Sequence, residues 1–467
     1  MMYFKADSIL TQKFNKSGIK NNEKIAVLSS NSEEYVKLLI HIFNLNAIAV
    51  PLNPMFPVSK IHQVLNDINC KMVIVDEKSN YKDVCGIKSV PLDFFIDGLK
   101  QISLKNLIET FNVNKLHENF NKYLSIIFTS GSEGRPKAVL HTVACHYFSA
   151  SGSNDNIQFK KDDCWLILLP LNHVSGFSTI FKALISKADI AVKPPDLSLF
   201  EIIKKYKATH LSLIPSQLSE LINSPAGVKV LKKMKAILIG GAPASPRLIE
   251  ESSGLKLPIY KSYGSTEMAS QITCTLKDDT LRHLKTSGKL LKYREIKTDV
   301  NGEILVKGKT LFKGYIKKDA SGKEILNMPF DEEGWFKTSD KGYIDNEGYL
   351  HVYGRKDFMF FYKGENIFPE EIENHLKELS GIEDAIVVSV CKDMEGQVPV
   401  AFIKSKDNYQ IDFESIRKSL QKNIESFKIP VLYLKWPEDE KITLHKPDRK
   451  KFKKIAEQLI TDLKLSG

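Results

Sequence analysis

Residues 124–142 read LSIIFTSGSEGRPKAVLHT. The run from Leu124 to Phe128 is apolar with two β-branched isoleucines, which predicts a buried strand. It passes directly into Thr129-Ser130-Gly131-Ser132-Glu133-Gly134-Arg135-Pro136-Lys137, with two glycines, three hydroxyls, a proline and two cations. At a strand end this composition suits a phosphate group. Glycines let backbone N–H groups approach, hydroxyls donate hydrogen bonds, and lysine supplies charge. The loop is not a Walker A loop, because Lys137 follows Pro136 and no hydroxyl comes after it. A Ser/Gly surface turn has a similar composition, so the remaining chain decides between the two.

At 467 residues the chain exceeds one ordinary core, which predicts two or three domains. Hydrophobic residues at 42% and charged residues at 26% are the balance of a soluble globular protein. The net charge of +11 comes from lysines scattered along the chain, and no nucleic-acid-reading motif accompanies them. Six cysteines stand far apart without zinc spacing, which fits a reduced, cytoplasmic compartment. The N-terminal stretch carries charge where a signal peptide needs an apolar run. No segment reaches the ~20 apolar residues of a membrane helix, so no membrane insertion is expected. A homo-oligomer is compatible with the sequence, which does not fix the oligomeric state.

From Lys24 onward, strand and helix alternate. Strands are expected at 24–30, 47–53 and 71–77, with helices at 32–45 and 57–68, the second opening with Pro57 near its first position. This βαβαβ rhythm predicts a parallel sheet covered by helices. A helix follows Thr142, and 163–176 reads as a strand ending in a polar loop. Residues 202–222 read as helix, strand and helix, and further strands at 235–242 and 257–267 end in polar, glycine-containing tips. Ligands in open α/β sheets sit at the carboxyl ends of strands, so these tips are expected to share one crevice. Beyond about residue 286 short strands joined by Asp/Asn-Gly turns take over. The last ~110 residues read as a compact α+β unit whose final helix carries Phe452, Ile455, Leu459 and Leu463 on one face.

Five stretches now stand in order: TSGSEGRPKAV (129–139), YGSTE (263–267), GWFKTSD (334–340), GRKDFMFFYKGENIFPEEIE (354–373) and HKPDRKKF (445–452). Together they resemble the core motifs of the adenylate-forming superfamily of acyl-CoA synthetases, adenylation domains and luciferases, over about residues 20–460. The resemblance implies an α/β fold with a large N-terminal domain of parallel-rich sheets flanked by helices (1–355). It adds a small β-barrel-like subdomain within that domain, and a small mobile α+β C-terminal lid (356–467). It also implies ATP, Mg²⁺ and coenzyme A, and a carboxylic acid activated as its acyl-adenylate.

Residue by residue, the resemblance assigns Thr129, Ser130, Gly131, Ser132, Gly134 and Lys137 to the leaving phosphates. Gly241, Ala242 and Tyr263 fall to the adenine, Gly264 to the ATP site beside them, and Thr266 to the α-phosphate. Glu267 would be the metal ligand, and Asp340 and Arg355 would meet the ribose. Lys446 would bridge the attacking carboxylate and the α-phosphate, stabilising charge as it develops. Asp357 matches the hinge, and Lys363 and Gly364 the coenzyme A tunnel. His173, Ser212, Met268 and Ser270 match the acyl pocket, with Ser216, Gln217, Gln271 and Thr273 as further polar candidates. Within the superfamily, 208–222, 263–274 and 394–403 resemble the o-succinylbenzoate–CoA ligases of menaquinone biosynthesis. Other aryl or fatty acyl-CoA synthetases and carrier-loading adenylation enzymes share much of the pattern. Three departures stand out. Glu133 sets a negative charge beside phosphates, His445 and Pro447 alter the surroundings of Lys446, and Thr338-Ser339-Asp340 replaces TGD, read as one added hydroxymethyl.

Overall fold

The structure, a computed structural model, describes residues 12–14, 16–18, 22–76, 87–129, 136–193, 197–362, 365–392, 396–406, 410–437 and 448–465. Strands β1 (Lys24–Leu28), β2 (Ile48–Leu52), β3 (Met72–Val75) and β4 (Lys88–Pro91) pair in parallel in the order β2-β1-β3-β4. The helix Glu33–Asn44 starts where Ser32 accepts a hydrogen bond from the Tyr35 N–H, with Glu33 and Glu34 meeting the positive end of the helix dipole. It buries the predicted face of Tyr35, Leu38, Leu39 and Ile42. Pro57 caps the helix Val58–Asp67 instead of occupying its first turn.

The opening stretch departs from the parallel rhythm. β5 (Tyr123–Thr129) runs parallel to β2 but antiparallel to β6 (Lys137–Thr142), so the loop is the tip of a hairpin, with Thr129 opposite Lys137. The next strands in this sheet come from far along the chain. β16 (Gly314–Lys318) pairs with β6, and β17 (Glu324–Asn327) closes the edge. An ion pair from Lys24 of β1 to Glu324 of β17 at 2.5 Å links this late edge strand to the first strand of the sheet.

A second sheet sets β7 (Cys164–Ile167), β8 (Asp189–Val192), β9 (His210–Leu213), β10 (Ala236–Ile239) and β11 (Ile259–Ser265) in parallel, in the order β11-β10-β9-β7-β8. β12 (Ser270–Cys274) and β13 (Lys289–Leu290) extend it antiparallel. The predicted polar loop before residue 176 gives way to a helix at Val174–Ser186 that the sequence reading missed. One hydrophobic core spans both sheets, joining Ile25, Ile127, Phe177, Phe181, Trp165 and Leu238. Phe181 is fully buried against Phe43 and His146, so truncating it to alanine would cost about 3–5 kcal/mol.

The β-barrel-like subdomain is an open antiparallel sheet of β14 (Arg294–Thr298), β15 (Glu303–Gly308), β18 (Phe336–Ile344) and β19 (Leu350–Arg355). It stays open because β16 and β17, drawn from the same stretch, join the first sheet instead. A separate core runs from Phe360 to Ala456. There β20 (Phe360–Tyr362) and β21 (Glu365–Ile367) form a hairpin. β22 (Ile382–Lys392) pairs antiparallel with β23 (Gly396–Ser405), and β24 (Leu432–Lys435) lies parallel to β23. On the last helix, Arg449–Leu465, Phe452 and Ala456 are buried. Leu459 is 38% exposed, so the predicted apolar face narrows towards its end. Among the described residues no helix is long and apolar enough to cross a membrane.

Candidate active site

The carboxyl ends of β10 and β11 and the strand β18 converge. Gly241, at φ +80, turns the chain sharply after β10 and leaves Ala242 exposed beside it. On β11 the side chain of Tyr263 donates to Asp340 of β18 at 2.6 Å. Burial and the neighbouring carboxylate both push the Tyr263 phenol well up, so it stays a donor. Asp340 stands directly opposite Arg355 in the β18–β19 register, with a 3.7 Å approach between carboxylate and guanidinium. Arg355 also donates to Asp357 at 2.8 Å, which pins the exposed residue assigned to the hinge. Gly264 sits at a register shift against β12. A Cβ there would lie 2.0 Å from the Ser270 carbonyl oxygen, so no larger residue fits.

After β11 a single 3₁₀ turn, Thr266–Met268, presents Thr266 and Glu267. It leads into two consecutive non-glycine residues at positive φ, Ala269 at +52 and Ser270 at +121. Such conformations cost about 1–3 kcal/mol each and persist only where neighbours hold them. Here the Phe312 N–H donates to the Glu267 carbonyl at 2.7 Å, Ser149 donates to the Ala269 carbonyl at 2.8 Å, and the Tyr315 hydroxyl donates to Glu267 Oε1 at 2.8 Å. Lys137 Nζ lies 5.4 Å from the Tyr315 ring centre, which brings the base of the hairpin loop to the same place. Tyr315 lies outside the five motif stretches, in FKGYIKK, where nothing in the sequence marks it.

Other expected residues fall elsewhere. Met268 is fully buried among Val139, Ile272, Ile304 and Phe312, so its side chain belongs to the core and not to an acyl pocket. Gln217 accepts the Ile214 N–H as a helix cap, and Thr273 donates to the Ser287 carbonyl, so both are engaged locally. Ser212 is buried within β9, and His173 stands at the start of the helix Val174–Ser186. Ser339 adopts φ +63, the region that favours glycine, so its departure from TGD strains the backbone as well as adding a hydroxyl. Ser130, Gly131, Ser132, Glu133, Gly134, Lys363, Gly364 and Lys446 lie outside the described residues. Arg449, three positions after Lys446, is described. Both its terminal nitrogens engage Glu373, it donates to the Val387 carbonyl at 2.6 Å, and it lies 4.9 Å from the Phe358 ring centre.

The main feature missed in the sequence is Lys182. It lies on the inner face of the helix Val174–Ser186, 2% exposed. Its ammonium meets Gln271 Oε1 at 3.2 Å and the Trp165 ring at 4.4 Å, and no ion pair to it is found among the described residues. Burial pulls its pKa down to about 7. One turn earlier, Ser178 donates to Ser270 at 3.3 Å. The adjoining Arg294 is different: it donates to three backbone carbonyls and is a structural brace. The helix GFSTIFKALIS sets Ser178, Thr179 and Ser186 three or four positions from Lys182, so the sequence reads as a small solvated face, whereas the structure buries Ser178, Thr179 and Lys182.

The sequence profile of the AMP-binding enzyme family matches residues 10–316, and that of the AMP-binding enzyme C-terminal domain matches 371–441. The chain belongs to the AMP-binding enzyme family. A 2-succinylbenzoate–CoA ligase of Oceanobacillus iheyensis is 32% identical over 434 residues, covering 90% of this chain and 86% of the relative. The o-succinylbenzoate CoA synthetase of Bacillus subtilis, solved with the acyl-adenylate OSB-AMP, is 26% identical with a TM-score of 0.81, covering 96% of this chain and 92% of that one. The same enzyme solved with ATP and magnesium ion superimposes with a TM-score of 0.78 at 27% identity, covering 93% and 90%.

Proposed function

We propose that the chain is an AMP-forming 2-succinylbenzoate–CoA ligase. The reaction class follows from family membership. A carboxylate oxygen of the acid attacks the α-phosphorus of ATP, the bond to the bridging oxygen breaks, and acyl-adenylate and pyrophosphate result. The thiolate of coenzyme A then attacks the acyl carbon and AMP departs. The observation that carries the reading is the convergence of separate motifs: Tyr263 reaches Asp340 at 2.6 Å, and Arg355 stands opposite Asp340. In this reading Asp340 and Arg355 hold the ribose, Tyr263, Gly241, Ala242 and Gly264 frame the adenine, and Thr266 meets the α-phosphate. Thr129, Lys137 and the intervening loop grip the leaving pyrophosphate. Lys446 supplies charge at the transition state, and Arg449 anchors the helix that follows it. We place the lid at 356–467, hinged at Asp357, in a cytoplasmic enzyme.

Glu267 suits Mg²⁺, which takes one or two carboxylates plus substrate phosphates. One of its oxygens is already oriented by Tyr315, and no cluster of three candidate ligands occurs among the described residues. When bound, the ion neutralises phosphate charge. The acid is read from Lys182. A buried amine that meets only Gln271 and the Trp165 ring, with no ion pair among the described residues, suits a ligand with a second carboxylate, and a fatty acid would leave it unanswered. Pyrophosphate exchange across a panel of acids, followed by thioester formation with coenzyme A, tests both levels. Exchange is expected with 2-succinylbenzoate. Exchange confined to monocarboxylic acids would overturn the substrate, and none with any acid would overturn the reaction class.

A further inference from the structure

β6 leaves the hairpin loop with Lys137, Val139 and His141 on one face, since side chains alternate along a strand. Lys137 lies over the Tyr315 ring, Val139 packs on Met268, and His141 Nε2 contacts the Thr266 carbonyl oxygen at 2.7 Å. That carbonyl belongs to the strained turn of the second sheet, whereas β6 belongs to the first. The contact therefore ties one sheet to the other at the point where Thr266 and Glu267 are presented.

The protons along this contact have a single consistent arrangement. The Thr266 carbonyl only accepts, so His141 Nε2 carries the hydrogen and Nδ1 is a bare acceptor. Ser125, paired directly across the hairpin, reaches Nδ1 at 3.3 Å and His146 Nε2 at 2.8 Å. Its one hydroxyl hydrogen goes to His141, and its lone pair accepts from His146. With both rings neutral, no other arrangement places a proton in all three contacts. Both imidazoles are fully buried and stay neutral, with His141 pulled down to about 4. His146 is held flat on Phe181, ring centres 5.0 Å apart, and its Nδ1 has no hydrogen-bond partner among the described residues. The chain His146–Ser125–His141–Thr266 thus ends on the backbone carbonyl of the turn.

We infer that His141 is a positioning residue. Through the β6 face it fixes the Thr266–Glu267 turn at a set distance from the pyrophosphate loop four residues back on the same strand. The inference rests on the proposed roles of Thr266 and Glu267. The loop end and the turn must hold adjacent phosphates of one nucleotide, so their separation has to be rigid. β6 supplies that rigidity from one side, and its neighbour β16 supplies Tyr315 from the other.

The test compares His141→Leu with His141→Gln, whose amide nitrogen can reach the position of Nε2. His141→Leu is expected to lower kcat for pyrophosphate exchange about 10- to 100-fold, as loss of an outer partner of a ligand does, with the KM for the acid within about twofold of wild type. His141→Gln is expected to restore most of that loss. Hydrogen exchange of the nucleotide-free protein gives a readout independent of turnover. Amides of 264–269 are expected to exchange faster in His141→Leu and near the wild-type rate in His141→Gln. If His141→Leu does not fold, Ser125→Ala, which removes the donor to Nδ1, carries the same expectation with a smaller loss. Glu267→Gln serves as the reference. If it impairs exchange while folded His141→Leu keeps wild-type kcat and amide protection, the positioning role is overturned. If Glu267→Gln is itself without effect, the site assignment fails first, and this inference fails with it.

Discussion

Replacing Lys182 by methionine should make the protein more stable and less able to take its acid. The folded pKa of about 7 lies 3.5 units below the ordinary 10.5, and at 1.36 kcal/mol per unit that is a penalty of about 5 kcal/mol. The sign follows from proton counting. Between pH 7 and 10.5 the unfolded chain holds a proton that the folded chain has given up, so stability rises with pH across this window. The penalty is complete below pH 7 and vanishes above 10.5. Methionine fills similar volume without the charge, and Gln271 Oε1 keeps its bond from Ser153 at 2.6 Å. Allowing for the lost contacts to Gln271 and Trp165, a net gain of about 2–4 kcal/mol is expected at pH 7; as the penalty fades the gain shrinks, and it crosses zero before pH 10.5, where only the lost contacts remain. Urea unfolding of both proteins, followed by tryptophan emission at several pH values, isolates the effect because other titrating groups cancel in the difference. In parallel, the KM for 2-succinylbenzoate should rise in the variant while the KM for ATP holds. A stability difference that stays constant from pH 7 to 10, or a variant less stable at pH 7, would refute the reasoning.

Ser339→Gly relieves a side chain at φ +63 and should raise stability by about 1 kcal/mol; an unchanged or lowered thermal midpoint would count against strain there. Gly264→Ala forces a Cβ to within 2.0 Å of the Ser270 carbonyl and should cost about 1–3 kcal/mol together with most of the pyrophosphate exchange. Full activity in that variant would show that β11 and β12 can part without harm. Lys446→Ala should abolish adenylation by about 10²-fold or more yet leave thioester formation from supplied acyl-adenylate largely intact. Equal loss in the two half-reactions would sink its assigned role.

What could be read from the sequence depended on repetition. The alternating segments from Lys24 to Val75 declared themselves because an apolar face recurs with a fixed period, and their ends carry caps such as Ser32. The residues that converge beside β11 and β18 were legible because Tyr263, Thr266, Glu267 and Asp340 sit in contiguous motifs. Long-range pairing left no such trace. Nothing local in KGYIKK distinguishes an edge strand of the first sheet from a strand of the small one, and a loop from Thr129 to Lys137 suits a hairpin or a crossover alike. Lys182, His141 and Tyr315 were passed over for a related reason. Each is one polar residue in an otherwise ordinary segment, and its meaning comes from a partner 89, 125 or 48 positions away.

The late arrival of β16 has a consequence for synthesis. Between Thr142, the end of β6, and Gly314, the start of β16, lie 314 − 142 = 172 positions. At translation rates of ~5–20 residues per second, β6 waits roughly 10–35 s on the ribosome with one edge open. Its centre, Ala138-Val139-Leu140, is apolar and buried in the finished protein, the kind of strand that recruits stray partners. The charged residues at its start and the proline before it, Arg135-Pro136-Lys137, blunt the strand at one end during that interval. The short sequence proposed to grip the nucleotide would thus also guard a nascent chain against aggregation.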